Sequence, residues 1–327
     1  MHMQFKSNTK FDVIALGRAT VDLYAEQTGP LVKATSFAKY LGGSPGNTTV
    51  AMAKQGLKTG FIGKVSADGL GDFVRSYLKS KGIDVSQLHT DKTGHHTAIT
   101  IGEILDGGKC TCLMYRDNCA DLQLTPNDLD AEYINSAKAL LISGASLARS
   151  PAREAVFTAL RLARDVNTRI IFDPDFREGI WQEGMAPIYL LQGMLQADLV
   201  IATRDEMEIP FTPILGEHPA PQTMADYLLS RGVSMVNIKD GQSGSTVFTS
   251  EEVVQCPSYK VANVLKTFGA GDSYAAGFIS GLLKGESIFD AQKRGSAAAA
   301  ITITGRSCSD AAPTAQELQQ FMQTHNL

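Results

Sequence analysis

The chain lacks the common nucleotide-phosphate signatures. No GxxxxGK[ST] sequence occurs in its 327 residues, so a Walker-type phosphate loop is excluded. The first strand-like run ends in Gly17-Arg-Ala-Thr-Val-Asp22 rather than GxGxxG, which excludes the dinucleotide fingerprint there. No apolar run approaches the ~20 residues needed to span a bilayer. The polar opening residues also lack the apolar stretch of a signal peptide. A cytoplasmic location with no membrane partner is therefore expected. The formal net charge of −4 leaves no basic field of the kind nucleic-acid binders use, so no nucleic-acid partner is expected either. The five cysteines are odd in number and form no CxxC pair, which argues against a disulfide framework. Cys110-Thr-Cys112 has no histidine at zinc-finger spacing, and reduced thiols are the expected state.

What is present is an α/β rhythm. FDVIAL at 11–16 reads as a buried strand running into Gly17. TGFIGKV, ALLISG, RIIFDPD, ADLVIAT and SMVNIKDG are further short apolar runs. Helical patterns separate them at 45–55, over LGDFVRSYLKSKG, at 151–166, near 184–196 and near 221–231. Near-continuous apolar strands alternating with helices predict a doubly wound, mostly parallel sheet covered on both faces. HTAITIGEIL and CTCLMYRD interrupt the rhythm as a pair of strands around Asp106-Gly107-Gly108. One α/β domain over residues 10–327 is expected, with a small β-lid inserted as segments 24–44 and 95–120. Dehydrogenases share this rhythm, so fold alone does not decide function.

Lys266-Thr-Phe-Gly-Ala-Gly-Asp272 leads into the small-residue run AAGFISGLLKG. Gly269, Ala270 and Gly271 let backbone N–H groups turn inward at a helix start, where unpaired donors and the helix dipole favour an anion. Asp272 has two possible uses there. It can cap the helix, or it can take the proton of an attacking hydroxyl while the N–H groups hold a transferring phosphoryl group. Asn47, in Pro45-Gly-Asn47, is likewise well placed as a helix cap, and Gly42-Gly43 reads as a turn.

GGSPGNTTVAMAKQG at 42–56 together with TFGAGDSYAAGF at 267–278 resembles the two signatures of the ribokinase-like (PfkB) carbohydrate kinases. Their order and spacing agree, and the resemblance runs over essentially the whole chain. It implies a ribokinase-like fold and an ATP- and Mg²⁺-dependent kinase with Asp272 as catalytic base. It also implies a sugar site at Asp22, Gly42, Gly43 and Asn47. Lys239-Asp-Gly241-Gln-Ser-Gly244 stands where the family has its ATP loop, and Ser296 would lie near the adenine. Thr203-Arg-Asp-Glu206 replaces the usual Asn-x-x-Glu, keeping the Glu that helps organise the magnesium-bound phosphates. Lys266 stands where most members have an Asp belonging to a monovalent-cation site. A lysine carries the same single charge, so independence of potassium is expected.

Arg116 in Met-Tyr-Arg, and Arg177 following Asp173-Pro-Asp-Phe, resemble positions in kinases of keto-deoxy sugar acids. The planar guanidinium fork suits a carboxylate. The plainer readings are a surface lid charge for Arg116 and a salt bridge to neighbouring carboxylates for Arg177. Kinases of 2-dehydro-3-deoxygluconate or fructose are the alternatives within the family, and an inactive sugar- or nucleotide-binding regulator is the alternative outside it. Lids of this type expose strand edges, and a homodimer through the lid is expected.

Overall fold

The computed structural model describes residues 3–105 and 109–327; the turn expected at 106–108 lies outside them. The chain opens with β1 (Phe11–Leu16), β2 (Thr20–Ala25) and β3 (Phe37–Gly42), then α1 (Ser44–Lys54), β4 (Thr59–Ser66), α2 (Gly69–Ser80) and β5 (Leu88–Asp91). β6 (Ile99–Ile104) and β7 (Cys110–Tyr115) follow. Next come α3 (Ala131–Asn135), β8 (Ala137–Ser143), α4 (Ala152–Asp165), β9 (Arg169–Asp173), α5 (Met185–Met194) and β10 (Leu199–Thr203). α6 (Arg204–Leu215), α7 (Pro221–Leu229), β11 (Met235–Lys239), β12 (Ser245–Phe248) and β13 (Val253–Cys256) lead to α8 (Ala270–Leu283), α9 (Ile288–Thr302) and α10 (Ala315–Thr324).

The main sheet has the order β13-β12-β11-β10-β9-β8-β1-β4-β5. Its strands are parallel apart from the antiparallel β12 and β13 at one end. Because successive side chains leave a strand on opposite faces, β1 feeds two cores at once. Ile14 and Leu16 join Leu140, Phe172, Leu160, Leu190 and Phe211 on one face. Val13 and Ala15 join Val50, Met52, Val74, Phe278 and Ile279 on the other. That two-sided burial explains why the strands read as unbroken apolar runs.

A second sheet, β3-β2-β6-β7, forms the lid. It begins at Thr20 rather than Tyr24, so Asp22 sits inside a lid strand. Asp22 lies opposite Tyr40 on β3 and Thr100 on β6, and Thr100 lies opposite Met114 on β7. This row places Asp22, Thr100 and Met114 on one face. On β7, Leu113 and Tyr115 are exposed.

Two helices depart from simple pattern reading. α6 forms despite Pro210 and Pro213 within it, started by a capping box in which Thr203 and Glu206 bond each other's backbone. α8 keeps small residues because α9 packs hard against it: a Cβ on Gly277 would lie 2.7 Å from the Arg294 carbonyl oxygen.

Candidate active site

The carboxyl ends of the parallel strands open onto one cavity of about 440 Å³, the position at which open α/β sheets bind ligands. β1 delivers Arg18, β9 delivers Asp173 and then Asp175 and Arg177, β10 delivers Thr203 and Glu206, and β11 delivers Lys239. The lid supplies Asp22, Tyr24, Thr100, Cys112 and Met114 from above. The starts of α1 and α8 complete the wall with Gly43, Ser44, Asn47, Gly269, Gly271 and Asp272.

Neither helix start has a side-chain cap. The residues just before them, Gly43 (φ 87°) and Gly269 (φ 77°), have positive φ, which favours glycine. A Cβ would meet the Arg18 carbonyl oxygen at 2.6 Å in the first case and Cys308 Cβ at 2.7 Å in the second. The cap readings of Asp272 and Asn47 are therefore corrected. Asp272 Oδ1 accepts from the Ser44 hydroxyl at 2.8 Å, and its Oδ2 accepts from the Asn47 amide at 3.0 Å. The two helix starts thus grip one carboxylate between them. Asn47 Oδ1 is buried without a partner, which leaves an acceptor for a ligand hydroxyl.

Burial, followed by the charge of Asp175, raises the Asp272 carboxyl above its ordinary value, while the bonds from Asn47 and Ser44 pull it back. Such a base holds a proton more readily than a surface aspartate does. Asp173 is raised by burial against the pull of Lys239, with Glu206, Asp175 and Asp272 pushing it further. Burial alone would lower Lys239, but Asp173 and Glu206 beside it hold it above its usual range. Lys239 Nζ lies 3.8 Å from Asp173 Oδ2, and a Cβ on Gly271 would come within 3.5 Å of that Nζ. A cation therefore stands directly beside the glycine-rich turn, where a phosphate would need it.

Asp22 is buried, and Tyr24 donates to its Oδ2 at 2.7 Å while Thr20 donates to Oδ1 at 3.3 Å. Gly42 is outside the cavity wall but shapes it, since an added Cβ there would run into the Asp22 carboxylate. Lys266 is fully buried behind the α8 turn, its ammonium donating to the Phe268 carbonyl at 2.6 Å and the Thr302 carbonyl at 3.5 Å.

Arg116 is placed differently from either expectation. It is neither on the surface nor in the cavity wall. Its Nη2 and Nε donate to Asp121 Oδ2 at 2.6 and 2.9 Å, and Nη1 donates to the Ala145 carbonyl. Arg177 does both things expected of it, lining the cavity and pairing with Asp175 at 2.9 Å. Arg18, which no motif marked, takes the inner position. Gly241, Gly244 and Ser296 are not part of the wall. Ser296 accepts from the Tyr259 N–H at 2.9 Å, and a Cβ on Gly244 would collide with the Cys256 carbonyl oxygen. Among the described residues no group of three His, Cys, Asp or Glu is placed to hold a metal by itself. Glu206, which lines the cavity and is fixed by the Phe176 and Thr203 N–H groups, still fits an ion bound largely by phosphate oxygens and water, as Mg²⁺ prefers.

Residues 10–315 match the family described as pfkB family carbohydrate kinase. The chain belongs to that family. The kinase is 43% identical over 325 residues to a 5-dehydro-2-deoxygluconokinase from Geobacillus kaustophilus, covering 99% of this chain and 97% of the relative. It is 41% identical to one from Bacillus subtilis over the whole of both chains. An uncharacterized sugar kinase from Pyrococcus horikoshii, solved in complex with ATP, superposes with a TM-score of 0.78 at 27% identity, covering 95% of this kinase and 99% of that chain. Among the described residues, no helix of the kinase is long and apolar enough to cross a membrane.

Proposed function

We propose that this kinase transfers the γ-phosphoryl group of ATP to the 6-hydroxyl of 5-dehydro-2-deoxy-D-gluconate, a step of myo-inositol breakdown carried out in the cytoplasm. The observation that carries the reading is the pair of bonds from Ser44 and Asn47 to Asp272, which hold a half-buried base in the uncapped first turn of α8. Full-length relatives named for this activity and the guanidinium groups of the cavity supply the choice of acceptor.

Asp22, with Tyr24 and Thr20 fixing its oxygens, accepts hydroxyl hydrogen bonds from the sugar, and the free Oδ1 of Asn47 takes another. Asp272 takes the proton of the terminal hydroxyl as that oxygen attacks. Backbone N–H groups of Gly269 and Gly271 and the ammonium of Lys239 stabilise the charge that develops, whereas the Ala270 N–H, expected to join them, donates to the Thr267 carbonyl at 3.3 Å. Mg²⁺, where bound, neutralises phosphate charge, and Glu206 is the side chain that would hold it, indirectly. The lid row of Asp22, Thr100 and Met114 covers the acceptor and keeps water from competing for the phosphoryl group.

Lys266 serves as a built-in monovalent cation. Two backbone carbonyls surround its ammonium, the donor set an alkali ion would use. Two copies of the chain pair along β7, where Leu113 and Tyr115 are exposed on an edge strand.

A coupled ADP assay over a substrate panel tests the reading. Turnover of 5-dehydro-2-deoxygluconate should exceed that of 2-dehydro-3-deoxygluconate and of fructose by at least about tenfold in kcat/KM, the factor one small pocket difference supplies. Preference for either rival overturns it.

A further inference from the structure

We propose that Arg18 recognises the substrate's carboxylate, acting beside Arg177 while Asp175 holds both guanidiniums in place. The inference rests on the sugar-acid reading above. Arg18 follows β1, lines the cavity and is only 3% exposed. A guanidinium that deep is costly unless its charge is paired and its donors are used. Here both conditions are only half met. Nη2 donates to the two oxygens of Asp175 at 3.2 and 3.1 Å. Nη1 finds the sulfur of Met114 at 3.2 Å, a weak acceptor. Nε has no partner.

Asp175 is moreover shared. Arg177 reaches its Oδ1 at 2.9 Å, and Ser143 donates to its Oδ2 at 2.9 Å. Arg177 also faces Glu206, Asp272 and Asp173, so the under-matched charge is that of Arg18, whose ion pair is to this shared Asp175. A monoanionic carboxylate matches that charge and presents two acceptors to forked donors. Arg116 has no such surplus, because Asp121 and the Ala145 carbonyl already engage it. Lys239 and the α8 turn stand where phosphate is handled, so the remaining cations, Arg18 and Arg177, are left for the acid end. Asp175 is a positioning residue, since it acts through the two arginines.

The experiment compares 5-dehydro-2-deoxygluconate with its carboxamide as acceptors for the wild type, Arg18→Gln and Arg18→Lys. ADP release is followed, and folding is checked by circular dichroism. Arg18→Gln should raise KM for the acid by about 100-fold, the size expected when one partner of a buried charged contact is removed. KM for ATP and for the carboxamide should change little, so the preference for acid over amide collapses. Arg18→Lys keeps the charge without the fork and should fall between the two; it carries the comparison if Arg18→Gln does not fold. An unchanged acid-over-amide preference in either folded variant overturns the inference alone. A rise in KM for ATP instead assigns Arg18 to the phosphates and likewise overturns it. A wild-type enzyme that does not phosphorylate the acid overturns the substrate reading and takes this inference with it.

Discussion

The Ser44 hydroxyl donates to Asp272 at 2.8 Å across 228 residues of sequence, joining the first residue of α1 to the first turn of α8. The bond pulls down a carboxyl that burial raises. A base must be deprotonated to work, so activity is present above the folded pKa of Asp272 and fades as pH falls through it. Removing the bond in Ser44→Ala lets the pKa rise further. The acid limb of the kcat/KM profile should then move to higher pH, by up to about one unit for a bond worth about 1.4 kcal/mol. Movement to lower pH would count against Asp272 as the base.

Gly42 tests the sugar side. An added Cβ collides with Asp22 rather than with solvent. Gly42→Ala should raise KM for the sugar by about tenfold or more, since displacing one substrate hydrogen bond costs about 1–3 kcal/mol. ATP affinity, measured by titration calorimetry, should hold. Equal losses for both ligands would place Gly42 in general folding instead.

Lys266 tests the ion. Wild-type turnover should be the same in potassium as in tetramethylammonium. Lys266→Ala strips the Phe268 and Thr302 carbonyls of their cation. It should lose up to about 100-fold in kcat, the cost of about one anion-stabilising donor, because the α8 turn in front of it is no longer held, and regain part of it when potassium is added. Strong potassium activation of the wild type would contradict the assignment.

Much of the fold was legible because β1, β8, β9, β10 and β11 are covered on both faces and so read as plain apolar runs. α6 was not, because Pro210 and Pro213 argue against a helix, although the Thr203–Glu206 capping box was there to be seen. Local spacing marked Gly269 to Gly271 as a helix start but left Asp272 open between cap and base, because its partners Ser44 and Asn47 lie 228 and 225 residues away. Asn47 was read as a cap because local sequence does not disclose a partner 225 residues away. Arg116 misled for a related reason: β7 ends at Tyr115, and the next side chain turns inward to Asp121. Arg18 sits just past a strand with no motif around it. Its one sequence signal was a charged residue between apolar FDVIAL and TVDLYA, a place where burial demands a partner.

The most direct measurement pairs turnover with ATP binding in Asp272→Asn. The substitution keeps the shape of the side chain and removes the base. kcat should fall by about 10²–10⁴-fold, the range that general-base catalysis supplies, while calorimetry shows ATP affinity close to the wild type. Turnover that survives unchanged, in a protein that still binds ATP, would remove Asp272 from its role and with it the in-line phosphoryl transfer built on that base.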